Sequence, residues 1–380
     1  MRFGSAIRNF QALPLGLRRQ IISLGAWILA ALLVAQVVDL GKNGMAFSAA
    51  SMATHIYFWI EIAIRGGHYR KSAEHPLLQQ LAPALYLTFL RALGVGWLAG
   101  WLASPPDASS WMPGMVYLGV AALDWLDGYV ARRSASETVL GAWLDLRVDA
   151  FGLLVAPCLA WRLDRLPWWY LLFAVAYYVY RAAIWLRRLT GAFVDENRVQ
   201  PSLHTRAFAG AQMGLVAFAL LPIFDRLAFA WTAALFVAFS LAAFVRDWGL
   251  LCGWIDANSP VYRSVRASTL SLFAQKIPVL SRLFLTCVMV HFAAGNAIDF
   301  TSTSAILGTL AVALIVIGVL ARFLALLLSV ALLTLPHVDP LEIVSLMALL
   351  WIFLWGAGPS LYAPEDQLFL RRFGGSEKSA

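Results

Sequence analysis

Residues 114–161 read GMVYLGVAALDWLDGYVARRSASETVLGAWLDLRVDAFGLLVAPCLAW, two apolar runs joined by a polar turn, each carrying paired aspartates. An apolar run of about 20 residues is what a helix needs to cross the hydrocarbon core of a bilayer, so the stretch predicts spans near 114–131 and 141–161. At helical spacing Asp124, Asp127, Gly128, Ala131 and Arg132 fall at i, i+3, i+4, i+7 and i+8 and share one face of the first helix. Gly141, Asp145 and Asp149, at i, i+4 and i+8, do the same on the second. Two neighbouring helices can therefore bring four carboxylates together at membrane depth.

The rest of the chain has the same character. With 61% hydrophobic and 13% charged residues among 380, it carries more apolar surface than a soluble fold can hide. The expected fold class is an all-α polytopic membrane protein. Spans are expected near 20–40, 45–64, 81–103, 114–131, 141–161, 168–188, 206–223 and 228–248, with three or four more between 279 and 357. The early apolar run is too long for a signal peptide and no small-residue cleavage site follows it, so it reads as a retained span. Basic clusters at Arg65/Arg70/Lys71, Arg132/Arg133, Arg187/Arg188/Arg198, Arg263/Arg266/Lys276 and Arg371/Arg372 fall on one side of this topology. By the positive-inside rule that side, with both termini, is cytoplasmic, in an inner (plasma) membrane. The loops 104–113 and 299–304 on the other side are short and poor in Lys and Arg. A net charge of +8 in such a chain points to anionic headgroups and not to nucleic acid. Cys158, Cys252 and Cys287 are far apart and form no metal-type pair or disulfide framework.

Carboxylates inside a membrane repel one another and are costly when ionised, unless cations compensate them or their proton affinity is raised. Oxygen ligands with no nearby His or Cys favour Mg²⁺ or Mn²⁺, and such ions commonly bridge carboxylates and substrate phosphates. The cluster thus predicts a phosphate-bearing substrate. Gly128, Ala131 and Gly141 on the carboxylate faces leave room for a flat group such as a nucleotide base to approach the backbone.

The pattern Asp124-x2-Asp127-Gly128-x2-Ala131-Arg132-x8-Gly141-x3-Asp145-x3-Asp149 resembles the signature of the CDP-alcohol phosphatidyltransferases, with every signature position filled at family spacing. Leu87-Thr88-x2-Arg91 resembles the motif that opens the family's six-helix core, which would cover about 81–248. The run Phe151 to Pro157 resembles a family stretch but is two residues longer. The resemblance implies transfer of a phosphatidyl-type group from a CDP-activated lipid, most simply CDP-diacylglycerol, to a small alcohol, with release of CMP. It implies two Mg²⁺ or Mn²⁺ ions on Asp124, Asp127 and Asp145, with Asp149 as a further ligand or as the general base. Arg132 would face phosphate, Thr88 would touch the nucleotide, and Gly128, Ala131 and Gly141 would shape the cytidine pocket.

Arg91 and Arg181, within or near core spans, are candidates for an acceptor phosphate; the competing reading pairs each with a core aspartate or brings it to the interface. His204 and Arg206 are candidates for the acceptor entrance. Arg133, Glu61 and His291 read as topology, helix-contact or interfacial residues. The expected domains are N-terminal spans (1–75), the catalytic core (76–250), a polar linker (251–278) and a bundle (279–380). Arg282-Leu283-Phe284-Leu285, Gly295, the run 315–335 and Gly356 to Leu361 of that bundle resemble a DoxX-type membrane domain. Residues 374–380 read as a disordered tail, and a homodimer is left open. The alternative of another class is a non-catalytic scaffold or transporter that keeps an idle carboxylate cluster; release of CMP separates the two.

Overall fold

The computed structural model describes residues 10–37, 44–71, 74–134, 136–199, 203–224, 226–294, 303–335, 339–356 and 358. Among them the regular elements are all helical: α1 (Leu15–Val37), α2 (Gly44–Arg65), α3 (Pro83–Ala103), α4 (Met112–Arg133), α5 (Val139–Arg162), α6 (Leu171–Leu189), α7 (Leu203–Ala219), α8 (Arg226–Leu251), α9 (Pro260–Ser271), α10 (Ile277–Ala294), α11 (Thr303–Ile317), α12 (Ala321–Leu333) and α13 (Pro340–Trp355). Five stretches, Leu15–Ala35, Pro83–Ala103, Trp168–Leu189, Phe229–Leu251 and Pro260–Ala293, are long and apolar enough to cross a bilayer. The chain is a polytopic, all-α membrane protein. Helix starts follow local chemistry: Pro83, Pro113, Pro260 and Pro340 sit in first turns, where a missing N–H costs nothing. Thr138 and Ser259 cap α5 and α9, and Asp339 with Glu342 forms a capping box on α13.

Contacts divide the chain into two compact units, Met1–Val175 with Gln212–Pro222, and Ala176–Ala211 with Ile223–Ala380. In the first, α3 is the central helix, packed against α2, α4 and α5. Its seam with α2 is built on missing side chains. A Cβ on Gly96 would lie 2.1 Å from His55 Nε2, and one on Gly100 would lie 2.3 Å from Ser51 Oγ and 2.7 Å from Phe47. Small residues of this kind let two membrane helices approach closely. The buried His55 ring fills the space at Gly96, and its Nε2–H donates to the Leu93 carbonyl at 2.9 Å. The strap from α2 to α3 is fixed as well: the Leu81 N–H donates to Gln20 Oε1 at 2.6 Å, the Ala82 N–H to Tyr69 Oη, and the Val139 N–H at the start of α5 to the Arg70 carbonyl at 3.0 Å.

At the opposite end of α5, Arg162 donates to the Leu102 carbonyl, and Arg165 to those of Ala108 and, at 3.0 Å, Leu221. These cations answer carbonyls left over at chain turns and helix ends.

In the second unit, the expected linker 251–278 is helical from Pro260 onward and runs without a break into α10. Its apolar content is low; Ser259 caps it and Pro260 opens it. Leu272–Lys276 is a π-helical turn in which the Ile277 N–H reaches back to the Leu272 carbonyl. In that register the next carbonyl, Phe273, would need an N–H from residue 278, which is proline. The indole N–H of Trp351 takes the place at 3.0 Å, within an aromatic cluster of Phe239, Phe273, Trp351 and Trp355. Arg282 donates to the Val316 carbonyl at 3.1 Å, and Arg322 to those of Phe353 and Leu354 at 3.1 and 3.2 Å, so both arginines close C-terminal helix ends. Of the bundle's motif residues, Gly295, Ala357 and Pro359 to Leu361 lie outside the described residues, as do Arg371, Arg372 and the tail 374–380.

Candidate active site

Three helices of the first unit meet at the aspartates. Asp124 and Asp127 project from α4 and Asp145 and Asp149 from α5, two pairs on facing helices, as the periodicity requires. Asp124, Asp127 and Asp145 offer carboxylate oxygens within 4.8 Å of one another, close enough to share a cation. No His or Cys belongs to that group, so the donor set is hard oxygen, the kind that suits Mg²⁺ or Mn²⁺.

The third helix, α3, supplies a cation. Arg91 is fully buried and forms ion pairs with all four aspartates: 2.6 Å to Asp124, 2.8 Å to Asp127, 2.5 Å to Asp145, and Asp149. The reading in which Arg91 pairs with core aspartates therefore describes this structure. Side-chain exposure runs from 0% at Arg91 and 8% at Asp127 to 31% at Asp149, 35% at Asp124 and 43% at Asp145. Arg91 is thus the floor of the cluster and the other three aspartates are its open rim. Thr88, one turn before Arg91, is also buried, and its hydroxyl lies 3.1 Å from Asp127 Oδ2 and 3.1 Å from the Ala84 carbonyl. One hydroxyl hydrogen serves one of these acceptors at a time.

The small residues divide into two kinds. A Cβ on Gly128 would meet only the flexible end of Arg132, at 3.0 Å from its Nη1, so nothing rigid in the protein demands glycine there. Arg132 itself is exposed, its guanidinium over Gly128, and Ala131 beside it is half-buried. At Gly141 a local reason exists: its N–H donates to the capping Thr138 hydroxyl at 3.0 Å, and a Cβ would stand 2.9 Å from that oxygen. Glycine at 141 therefore also accommodates the cap of the aspartate helix.

Two neighbours were not foreseen. Thr138 starts α5 at the register that turns Asp145 and Asp149 inward. Tyr117, seven residues before Asp124 and so on nearly the same face of α4, is fully buried, 3.8 Å from where a Cβ on Gly152 would be. Its hydroxyl has no hydrogen-bond partner among the described residues. The i, i+7 spacing to Asp124 was the only signal in the sequence. Of the remaining candidates, Arg181 is half-exposed and lies 3.7 Å from Glu196. Arg133 donates to Tyr129 Oη at 2.7 Å, Glu61 pairs with Arg65 at 2.9 Å, and His291 stacks edge-on with Phe292. The side chains of His204 and Arg206 lie outside the described residues.

Convergence of this carboxylate set from two adjacent helices, at the spacing of the signature, is the observation that a family comparison can test. Residues 81–248 match the CDP-alcohol phosphatidyltransferase family. The matched segment begins just before α3 and ends within α8, so it contains six helices, every aspartate of the cluster, Thr88 and Arg91. No curated protein and no solved structure matches the chain. The matched segment is similar to a family of membrane phosphotransferases that move a phosphatidyl-type group from a CDP-alcohol. Its carboxylate cluster fits the divalent metal that such chemistry uses.

Proposed function

We propose that the domain transfers a phosphatidyl-type group from a CDP-activated lipid, CDP-diacylglycerol in the simplest case, to the hydroxyl of a small alcohol, releasing CMP. The observation that carries this reading is the half-open cluster of Asp124, Asp127, Asp145 and Asp149 on facing helices within the matched segment. Asp124, Asp127 and Asp145 would hold two Mg²⁺ or Mn²⁺ ions, with Asp149 at the edge of the set. When bound, the metal supplies Lewis-acid polarisation of the pyrophosphate and offsets charge on the departing nucleotide.

The alcohol oxygen attacks the phosphorus bonded to the lipid. The bond from that phosphorus to the bridging oxygen breaks, and CMP leaves with the electron pair. Asp149 takes the hydroxyl proton through its second oxygen, the first being held by Arg91. Gly128, Ala131 and Gly141 border the cytidine, Arg132 faces phosphate, and Thr88 acts beside Asp127 on the nucleotide side. No covalent enzyme intermediate is needed. The site opens to the cytoplasmic face of an inner (plasma) membrane, following the basic loops. Residues 76–250 form the catalytic domain, flanked by the N-terminal spans 1–75 and, beyond 251–278, the DoxX-like bundle 279–380.

The test is Mg²⁺-dependent CMP release from CDP-diacylglycerol by the purified protein with a panel of alcohols, including serine, glycerol phosphate and inositol phosphate. The expected result is release with one acceptor, lost in Asp149→Asn. Absence of release from any CDP-activated lipid, diacyl, ether or polyprenyl, refutes the assignment and leaves the scaffold reading.

A further inference from the structure

The buried arginine beneath the cluster has a geometry that a simple counter-charge would not need. Arg91 lies eight residues into α3, about 12 Å from its start, and is 0% exposed, so its head group does not snorkel to water. Its Nη1 contacts Asp127 of α4 and Asp145 of α5; its Nη2 contacts Asp124 of α4 and Asp149 of α5. Each nitrogen thus joins one carboxylate from each helix, at two successive levels. A planar guanidinium presents its N–H groups in a fixed fork and can make such a cross-link, whereas a lysine ammonium offers three donors from one point. The ion-pair contacts to Arg91 use Asp124 Oδ1, Asp127 Oδ2, Asp145 Oδ1 and Asp149 Oδ1, which leaves each carboxylate a second oxygen. With all four carboxylates ionised against one guanidinium, the cluster keeps an uncompensated negative charge that a divalent cation can take up.

We propose that Arg91 is a positioning residue: a built-in cation that draws the four aspartates of α4 and α5 together before any metal arrives and so preforms the metal site. This deepens the functional reading above and rests on it for the metal's purpose. The preformed arrangement is a property of the free protein, however, and can be read without turnover. Bringing carboxylates together is unfavourable by itself, so the step that Arg91 performs in advance would otherwise fall to the metal at the moment of binding.

The experiment compares melting of the purified full-length protein in detergent, in EDTA and in Mg²⁺, for wild type, Arg91→Gln, Arg91→Lys and the double variant Arg91→Gln/Asp127→Asn. Arg91→Gln is expected to melt lower than wild type in EDTA and to gain more from Mg²⁺, because the metal becomes the cluster's main compensation. Arg91→Lys should fall between, since it keeps the charge but not the fork. The double variant removes the most buried carboxylate and should recover part of the loss in EDTA. If Arg91→Gln does not accumulate, the double variant decides: recovery supports the proposal and no recovery overturns it. Equal melting and equal Mg²⁺ gain in Arg91→Gln and wild type overturn it, as does a Mg²⁺ gain absent from both. An effect confined to the KM for the alcohol, with melting unchanged, would make Arg91 an acceptor ligand instead. Failure of wild-type CMP release would remove the functional assignment while leaving these melting results to stand or fall separately.

Discussion

Replacing Gly96 with alanine tests the docking of α2 on α3, the helix that carries Thr88 and Arg91. The new Cβ would lie 2.1 Å from Nε2 and 2.2 Å from Cδ2 of His55, against a buried ring and not a flexible tip. Either the helices separate or the imidazole leaves its place and loses the 2.9 Å hydrogen bond to the Leu93 carbonyl. Overpacking of this kind costs about 1–3 kcal/mol. A polar side-chain hydrogen bond in a membrane protein averages about 0.6 kcal/mol, so the total is roughly 2–4 kcal/mol. His55→Ala removes the same bond and leaves a cavity, for a cost in the same range. The double variant is the informative one. With the ring gone, the alanine methyl enters the vacated space, so Gly96→Ala/His55→Ala should be no less stable than His55→Ala alone. The resulting coupling energy then equals the whole Gly96→Ala cost, about 2–4 kcal/mol, at or above the upper end for residues in contact. Unfolding of the purified variants in mixed detergent micelles titrated with SDS measures each free energy. Strictly additive costs would refute the claim that Gly96 is glycine because His55 occupies its side-chain space.

Four further outcomes are expected. Tyr117→Phe deletes a buried hydroxyl without a described partner, which otherwise costs about 1–3 kcal/mol, so the variant should melt at or above wild type; a clear fall would mean the hydroxyl is satisfied. Thr138→Ala removes the cap of α5 and should cost about 1 kcal/mol in the same SDS titration. Asp145→Asn should lower Mg²⁺-dependent CMP release by more than about 100-fold, the scale of losing one group that stabilises transition-state charge, and EDTA should abolish the wild-type rate reversibly. Trp351→Phe should destabilise the second unit by about 1 kcal/mol, and by less in a Pro278→Ala background, where residue 278 regains an N–H for the Phe273 carbonyl; equal losses in both backgrounds would refute that account of the π turn.

Much of the site was legible because its information is local. Asp124 and Asp127 share a face, as do Asp145 and Asp149, whatever the helices pack against, since 3.6 residues per turn fixes it. The helices near 81–103, 114–131 and 141–161 lie close to those bounds because apolar length sets a span. Other features came into view only with the fold. The polar residues 260–271, within the expected linker, form a helix that a serine cap and a first-turn proline start. Gly141 looked like a pocket residue alone, and its contact with the Thr138 hydroxyl emerges only with the cap in place. Thr88 was matched to the nucleotide by motif, and the fold gives its hydroxyl an aspartate neighbour.

The sequence by itself determined that this is a helical membrane protein, which residues face one another's side of α4 and α5, and, through eight typed positions at fixed spacing, the phosphotransferase family of the segment that holds them. Composition and periodicity act within one helix or one turn, and those features need nothing more. The partners of Arg91, 33 to 58 residues away, were decided by which helices meet. So were the seating of His55 on Gly96 and Leu93, 41 and 38 residues away, and the reach of Trp351 to Phe273 across 78. A buried arginine can satisfy its charge at a membrane interface, on a substrate phosphate or on a carboxylate, and all three look alike in a sequence. Only the packing of α3 between α4 and α5 brings four carboxylates within reach of one guanidinium and excludes water from it.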